Sequence, residues 1–345
     1  MSYNYMTNEN THHDIEMGTD TEITKKIEQQ IEESLPCCEG EKPSKKMKPF
    51  WKRFEKEHFL GVCILLGALV VSGTLFYTRQ SQNSGPKVAD AKTIAKLEKV
   101  VLPSDGVILP VKWGDLGSQL VKNGTIDQKK FEELYAQRGG LDDNAKKLLV
   151  GADNGKLVIN SDNANLVLNL LWALGLANKN VILEQGPMGD KQYGGAGNFA
   201  STGGWTLAAG NPMNHYSKHT MIPLTPEQQA LIERTSQNIY RPCCGNSTYF
   251  PDCNHGMAML GLLELMASQG VGEEEMYKAA LVVNSFWFPD TYMTIAQYLN
   301  SKGIDWQKTG AKELLGASFS SASGYQQIKS QVVPTEPKSG SSCGA

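Results

Sequence analysis

Residues Phe59 to Tyr77, FLGVCILLGALVVSGTLFY, form an uncharged run of 19 residues that restricts the architecture more than any other stretch of the chain. A helix rising ~1.5 Å per residue over that length covers roughly 28 Å, about the hydrocarbon thickness of a bilayer. Trp51 and Tyr77 suit interfacial anchors. The preceding flank carries Lys42, Lys45, Lys46, Lys48, Lys52, Arg53 and Lys56, whereas the following one has Arg79, Lys87 and Lys92. Positive charge stays on the cytoplasmic side, so the reading is a single-pass anchor with a cytoplasmic N-terminus and an extracytoplasmic main domain. An apolar run that starts after 58 residues is too late for a cleaved secretory signal, and a signal-anchor is expected. Leu60-Gly61-Val62-Cys63 faintly resembles a lipidation box, but Cys63 lies inside the apolar run, where processing does not occur. A buried core helix is the competing reading, and the length, the absence of charge and the basic flank argue against it.

The bilayer is thus the first expected partner, and it divides the rest. Residues 1–58 are polar and read as a disordered cytoplasmic tail. Residues 78–100 read as a linker and stalk, with a helix over Ala91 to Val101. The expected folded domain is 101–333, and 334–345 is a Ser/Gly-rich tail carrying Cys343. A net charge of only −3, with no basic block in the body, gives no nucleic-acid footprint.

The body reads as mainly α, an α-helical bundle interrupted by a long glycine-rich loop. Asp127 stands where a helix N-cap belongs, Asp142 to Leu149 reads as another short helix, and Leu157 to Ile159 suggests a brief strand. Ala164 to Leu176 is apolar on nearly all sides and should be the central helix, capped by Ser161 or Asp162. Thr225-Pro226-Glu227-Gln228 is a capping box for a helix reaching about Tyr240. Phe250-Pro251-Asp252 precedes a helix over about 253–269, with Asp252 as its expected cap. Glu273, Glu274 and Glu275 open the next helix, and Phe288-Pro289-Asp290 opens a further one, which ends near Gly303.

Residues 186–210 hold eight glycines and no apolar period. Gly195-Ala196-Gly197-Asn198-Phe199-Ala200 matches a dinucleotide fingerprint in letters only, because no strand–turn–helix surrounds it. Ser201 lacks the frame of a nucleophile elbow.

The chemistry concentrates in RPCCGNSTYFPDCNHGMAM, Arg241 to Met259, which contains three of the chain's seven cysteines. Thiolate, imidazole and thioether groups together suit a soft metal, and the methionines favour Cu(I) over zinc. The candidate ligands are Cys243, Cys244, Cys253 and His255, with Met257, Met259, His215 and His219 as secondary candidates. Zinc held by Cys243, Cys244, Cys253 and His255 is the second choice. Arg241 and the start of the helix both favour thiolates.

Two further readings use the same residues. In a thiol–disulfide exchange protein, Cys243, Cys244 and Cys253 work with Cys343, whose tail reaches roughly 15–18 Å beyond Pro334. In a stapled binding or scaffold domain, Cys243 or Cys244 pairs with Cys253 and does no chemistry, stabilising by roughly 2–3 kcal/mol. A metal donor or a thiol partner accompanies the first two readings. Cys37-Cys38 repeats the Pro-Cys-Cys pattern in the N-terminal tail, and Asn123-Gly124-Thr125 and Asn246-Ser247-Thr248 are glycosylation sequons. No nucleophile–base arrangement stands out that would define an enzyme.

Overall fold

The structure is a computed structural model that describes residues 89–332. The expected anchor at Phe59–Tyr77, the N-terminal tail and Cys343 lie outside the described residues. Among the described residues, no helix is long and apolar enough to cross a membrane.

Helices dominate, as expected, and one two-stranded sheet accompanies them. In chain order the first elements are α1 (Ala91–Val101), β1 (Val107–Gly114), α2 (Leu116–Lys122), α3 (Gln128–Ala136) and α4 (Asp143–Val150). β2 (Asn154–Ile159), α5 (Ala164–Ala177) and α6 (Val181–Gln185) follow. The second half contains α7 (Pro226–Ser236), α8 (Asn254–Ser268), α9 (Glu273–Trp287) and α10 (Pro289–Ser301). Three short helices end the described residues: α11 (Ala311–Leu314), α12 (Ala317–Ser320) and α13 (Ala322–Lys329).

The core is the pair α5 and α8. Every residue of α5 except Asn165 is buried, which is what a helix apolar on all sides must achieve. α8 is buried from His255 through Ala267. The two backbones approach closely because Gly175 and Gly261 face each other. A Cβ on Gly175 would sit 2.1 Å from the Met257 carbonyl oxygen, and one on Gly261 would sit 2.4 Å from that of Leu171. α9 packs over this pair, and its Trp287 indole N–H donates to the Ala164 carbonyl at the start of α5. The capping box at Thr225 and Gln228 forms as read from the sequence.

Four local expectations are corrected. β1 was not anticipated. It pairs antiparallel with β2, and the register slips between Ile108 and Lys112, around Pro110, which has no N–H for the ladder. α5 begins after Asn163 rather than at a Ser161 or Asp162 cap. The Asn163 side chain is instead engaged with the Asn160 N–H and the Val158 carbonyl. α7 stops at Ser236 rather than near Tyr240, because the Tyr240 N–H donates to the Leu315 carbonyl and Tyr240 bridges to Ser247. α8 starts at Asn254 with Cys253, not Asp252, as its cap.

The glycine-rich loop is ordered by anchors rather than by period. Trp205 is buried, tilts against Trp172 with centroids 4.8 Å apart, and donates to the Thr125 carbonyl. Tyr193, Phe199 and Phe250 form a triangle of rings with centroids 5.4 Å apart on each side. The Ser201 N–H donates to the Asp252 carbonyl, which ties the loop to the cysteine turn.

One carboxyl group is buried inside this core. Glu264 of α8 is fully buried, accepts from Asn180 Nδ2, and leaves its Oε2 without a partner. Burial raises its pKa well above the usual carboxylate range. The folded state therefore keeps a proton that the unfolded chain releases above its ordinary carboxylate pKa. The associated stability is complete below that pKa and is lost as pH rises towards the folded value. Glu264→Gln is expected to remove this slope and to raise stability at neutral pH. Urea unfolding between pH 4 and pH 8 checks it, and an unchanged pH dependence would contradict it.

Candidate metal centre

The turn from 237 to 253 joins α7 to α8 and is fastened on both sides. The Thr248 N–H and hydroxyl both donate to the Ile239 carbonyl, at 2.8 and 3.0 Å. The Tyr249 N–H donates to the Ser236 carbonyl, and the Ala322 N–H at the start of α13 donates to the Cys244 carbonyl. This clipping folds the Cys243-Cys244 pair back over the first turn of α8, where Cys253 and His255 lie.

The three sulfurs converge. Cys243 Sγ is 3.5 Å from Cys253 Sγ and 3.9 Å from Cys244 Sγ, and Cys244 Sγ is 3.9 Å from Cys253 Sγ. These distances exceed the ~2.05 Å of a disulfide, and the three are free thiols. The disulfide staple of the third reading is therefore not formed among these cysteines. Thiolates bound tetrahedrally at ~2.3 Å from one metal ion stand about 3.8 Å apart, which is the spacing seen.

His255 Nδ1 lies 4.0 Å from Cys243 Sγ, and one ligand atom from each of Cys243, Cys253 and His255 falls within 4.8 Å of the others. The imidazole is buried against Phe288, with centroids 4.3 Å apart, and Trp287, at 5.7 Å. Cys244, Asp252 and Cys253 form a second convergent group sharing the Cys253 sulfur.

Electrostatics favour a thiolate at Cys253. As N-cap it receives the Gly256 N–H at 3.4 Å, and Arg241 Nε donates to it at 3.1 Å. Hydrogen bonds from Cys243 and Cys244 come first among the causes that hold its pKa well below the usual thiol range, and Arg241 adds to them despite burial. The protons reside on the neighbours. Cys243 is pushed up by its hydrogen bonds to Cys244 and Cys253. Cys244 is pushed up to about 12: its contact with Cys243 favours the thiolate, but the hydrogen bond to Cys253 and burial outweigh it. A metal cation takes the place of such protons.

Arg241 is 1% exposed. Burial alone would favour losing its proton, but Cys253, Cys244 and Asp252 overcome this and raise its pKa, so the guanidinium stays charged. It donates to the Asn246 and Phe250 carbonyls, each at 2.9 Å, and pairs with the Asp252 carboxylate, which Asn246 Nδ2 also meets at 2.8 Å. Gly256 makes room for it: a Cβ there would lie 2.6 Å from Arg241 Cζ. Gly256→Ala is expected to displace the guanidinium and cost about 1–3 kcal/mol. Urea titration measures the cost, and a fully wild-type midpoint would contradict this packing.

The secondary candidates are placed elsewhere. Met257 and Met259 are buried members of the hydrophobic core, and the Met257 backbone abuts Gly175. His215 and His219 meet each other, Nδ1 to Nε2 at 3.1 Å, and His215 Nε2 lies 3.4 Å from the Ala209 carbonyl. Burial, and then His215, lower the pKa of His219. Among the described residues, the groups of three or more His, Cys, Asp or Glu that converge on one point both lie at the cysteine turn. Sequence reasoning missed the Trp287–Phe288 wall, which is over 30 residues away and carried no pattern signal. It also read Asp252 as a cap, whereas its carboxylate holds Arg241. The chain matches no family model, no curated protein and no solved structure, so its chemistry rests on these residues alone.

Proposed function

We propose that the protein is a membrane-anchored metal-binding domain in which Cys243, Cys244, Cys253 and His255 hold one thiophilic ion. The observation carrying this reading is the triangle of sulfur atoms 3.5, 3.9 and 3.9 Å apart, with His255 Nδ1 4.0 Å from the Cys243 sulfur. Three thiolates and a histidine form a closed tetrahedral set, the kind that fastens a fold rather than leaving a position for substrate. The ion would tie α7 to α8 across the same turn that a disulfide staple would close.

Zinc suits this set better than copper. The preference for Cu(I) rested on methionines, and Met257 and Met259 are packed in the core. Three thiolates carry one net negative charge with Zn²⁺ and two with Cu(I), and the neighbouring Arg241 already pairs with Asp252, so zinc leaves the smaller charge to be offset. Cu(I) remains the second reading because a planar three-thiolate site with the same ~2.3 Å bonds has edges of about 4.0 Å, close to two of the three seen. The uncharged run at Phe59–Tyr77 and its basic flank support the anchor and the extracytoplasmic placement.

Elemental analysis of the purified chain, with thiol counting before and after chelation, tests the reading. One ion per chain, and three thiols that become reactive only on chelation, are expected. A chain with no ion, and with these cysteines freely reactive, would contradict it.

A further inference from the structure

We infer that this site is a peroxide-sensitive metal switch, in which oxidation joins Cys243 to Cys253 and releases the ion; this rests on the metal reading above. Three features point to it. Cys243 is the exposed member of the sulfur triangle, so a hydroperoxide in solvent reaches it first. Its nearest sulfur, 3.5 Å away, belongs to Cys253, which Arg241 holds in place. The chain already turns back on itself around Cys243 through the Tyr240–Ser247 bridge, so bringing the sulfurs together does not require opening the fold.

The alternative pair is disfavoured by connectivity. Cys243 and Cys244 are adjacent in sequence, and a disulfide between neighbours closes a strained ring through one peptide bond. Cys253 lies across the turn and has no such constraint.

The reaction balances with a hydroperoxide, ROOH, as oxidant. The Cys243 thiolate attacks the terminal oxygen, a sulfur–oxygen bond forms, the oxygen–oxygen bond breaks, and ROH leaves after taking a proton. The Cys253 thiolate then attacks the Cys243 sulfur. The disulfide bond forms, the sulfur–oxygen bond breaks, and hydroxide leaves as water with a second proton. Two thiolates have lost two electrons and ROOH has gained them. The ion keeps only Cys244 and His255 of its four ligands and is released. A thiol reductant reverses the step and restores the site.

The test uses the full chain loaded with zinc, one equivalent of hydrogen peroxide and a chromophoric zinc chelator, followed by alkylation and peptide mapping without reduction. The expected result is one zinc released per disulfide, a Cys243–Cys253 crosslinked peptide, an unchanged helical signal, and rebinding after dithiothreitol. Zinc retained while the peroxide is consumed without a Cys243–Cys253 crosslink would overturn the switch, as would release accompanied by unfolding or by a disulfide lacking Cys253. A chain that carries no metal before treatment overturns the metal reading and the switch together. A chain that holds zinc and keeps it through oxidation overturns the switch alone.

Discussion

Arg241→Ala is expected to destabilise the domain by about 3–5 kcal/mol, the range seen when one member of a buried ion pair is removed. The guanidinium satisfies the Asn246 and Phe250 carbonyls, the Asp252 carboxylate and the Cys253 sulfur at once. Alanine leaves all four without this donor in a place where water enters poorly. Metal affinity should fall as well, by about 10–100-fold, because Arg241 supports a ligand without being one. Arg241→Lys should rescue little: an ammonium cannot present the planar fork that reaches four acceptors. Urea unfolding of metal-loaded and metal-free protein separates the two effects. Equal loss in both forms would assign Arg241 to the fold alone.

Cys253→Ser carries the other large effect. Its sulfur is the one shared by both convergent ligand groups, and it also caps α8. The variant is expected to lose stoichiometric metal and, with it, the stabilisation that metal supplies. That increment is about 4 kcal/mol when free ion stands at 1,000 times its dissociation constant. The serine hydroxyl still caps the helix, so the metal-free stability should change little. Chelator-treated wild type and untreated Cys253→Ser should then unfold at similar urea concentrations. A variant that retained both the ion and the wild-type midpoint would remove Cys253 from the site.

The helical order was legible because its signals are local. α5 announces itself by an apolar run with no polar side, and α7 by its capping box. The convergence of Cys243, Cys253 and His255, with Cys244 in a second group that shares the Cys253 sulfur, was legible for the same reason: one turn gathers them. What the sequence hid depends on distant partners. Asp252 looks like a cap, yet its carboxylate goes to Arg241, eleven residues earlier, and Cys253 caps in its place. Met259 shares a helix face with His255 by spacing. α8 is buried nearly all round, however, so a shared face does not separate a ligand from a core residue. His215 and His219 meet in a turn, and their pairing is with each other. β1 was hidden by Pro110, which the ladder accommodates by a register slip. The glycine-rich loop has no period because single anchors, Trp205 and the Tyr193–Phe199–Phe250 rings, hold it.

The central claim is that three sulfurs and one imidazole surround a single ion, and X-ray absorption at the metal edge of the purified full chain tests it most directly. The account predicts one ion per chain with three sulfur neighbours at ~2.3 Å and one nitrogen at ~2.0–2.1 Å. A first shell of oxygen and nitrogen without sulfur, or a chain that binds no ion at stoichiometric concentration, would contradict it.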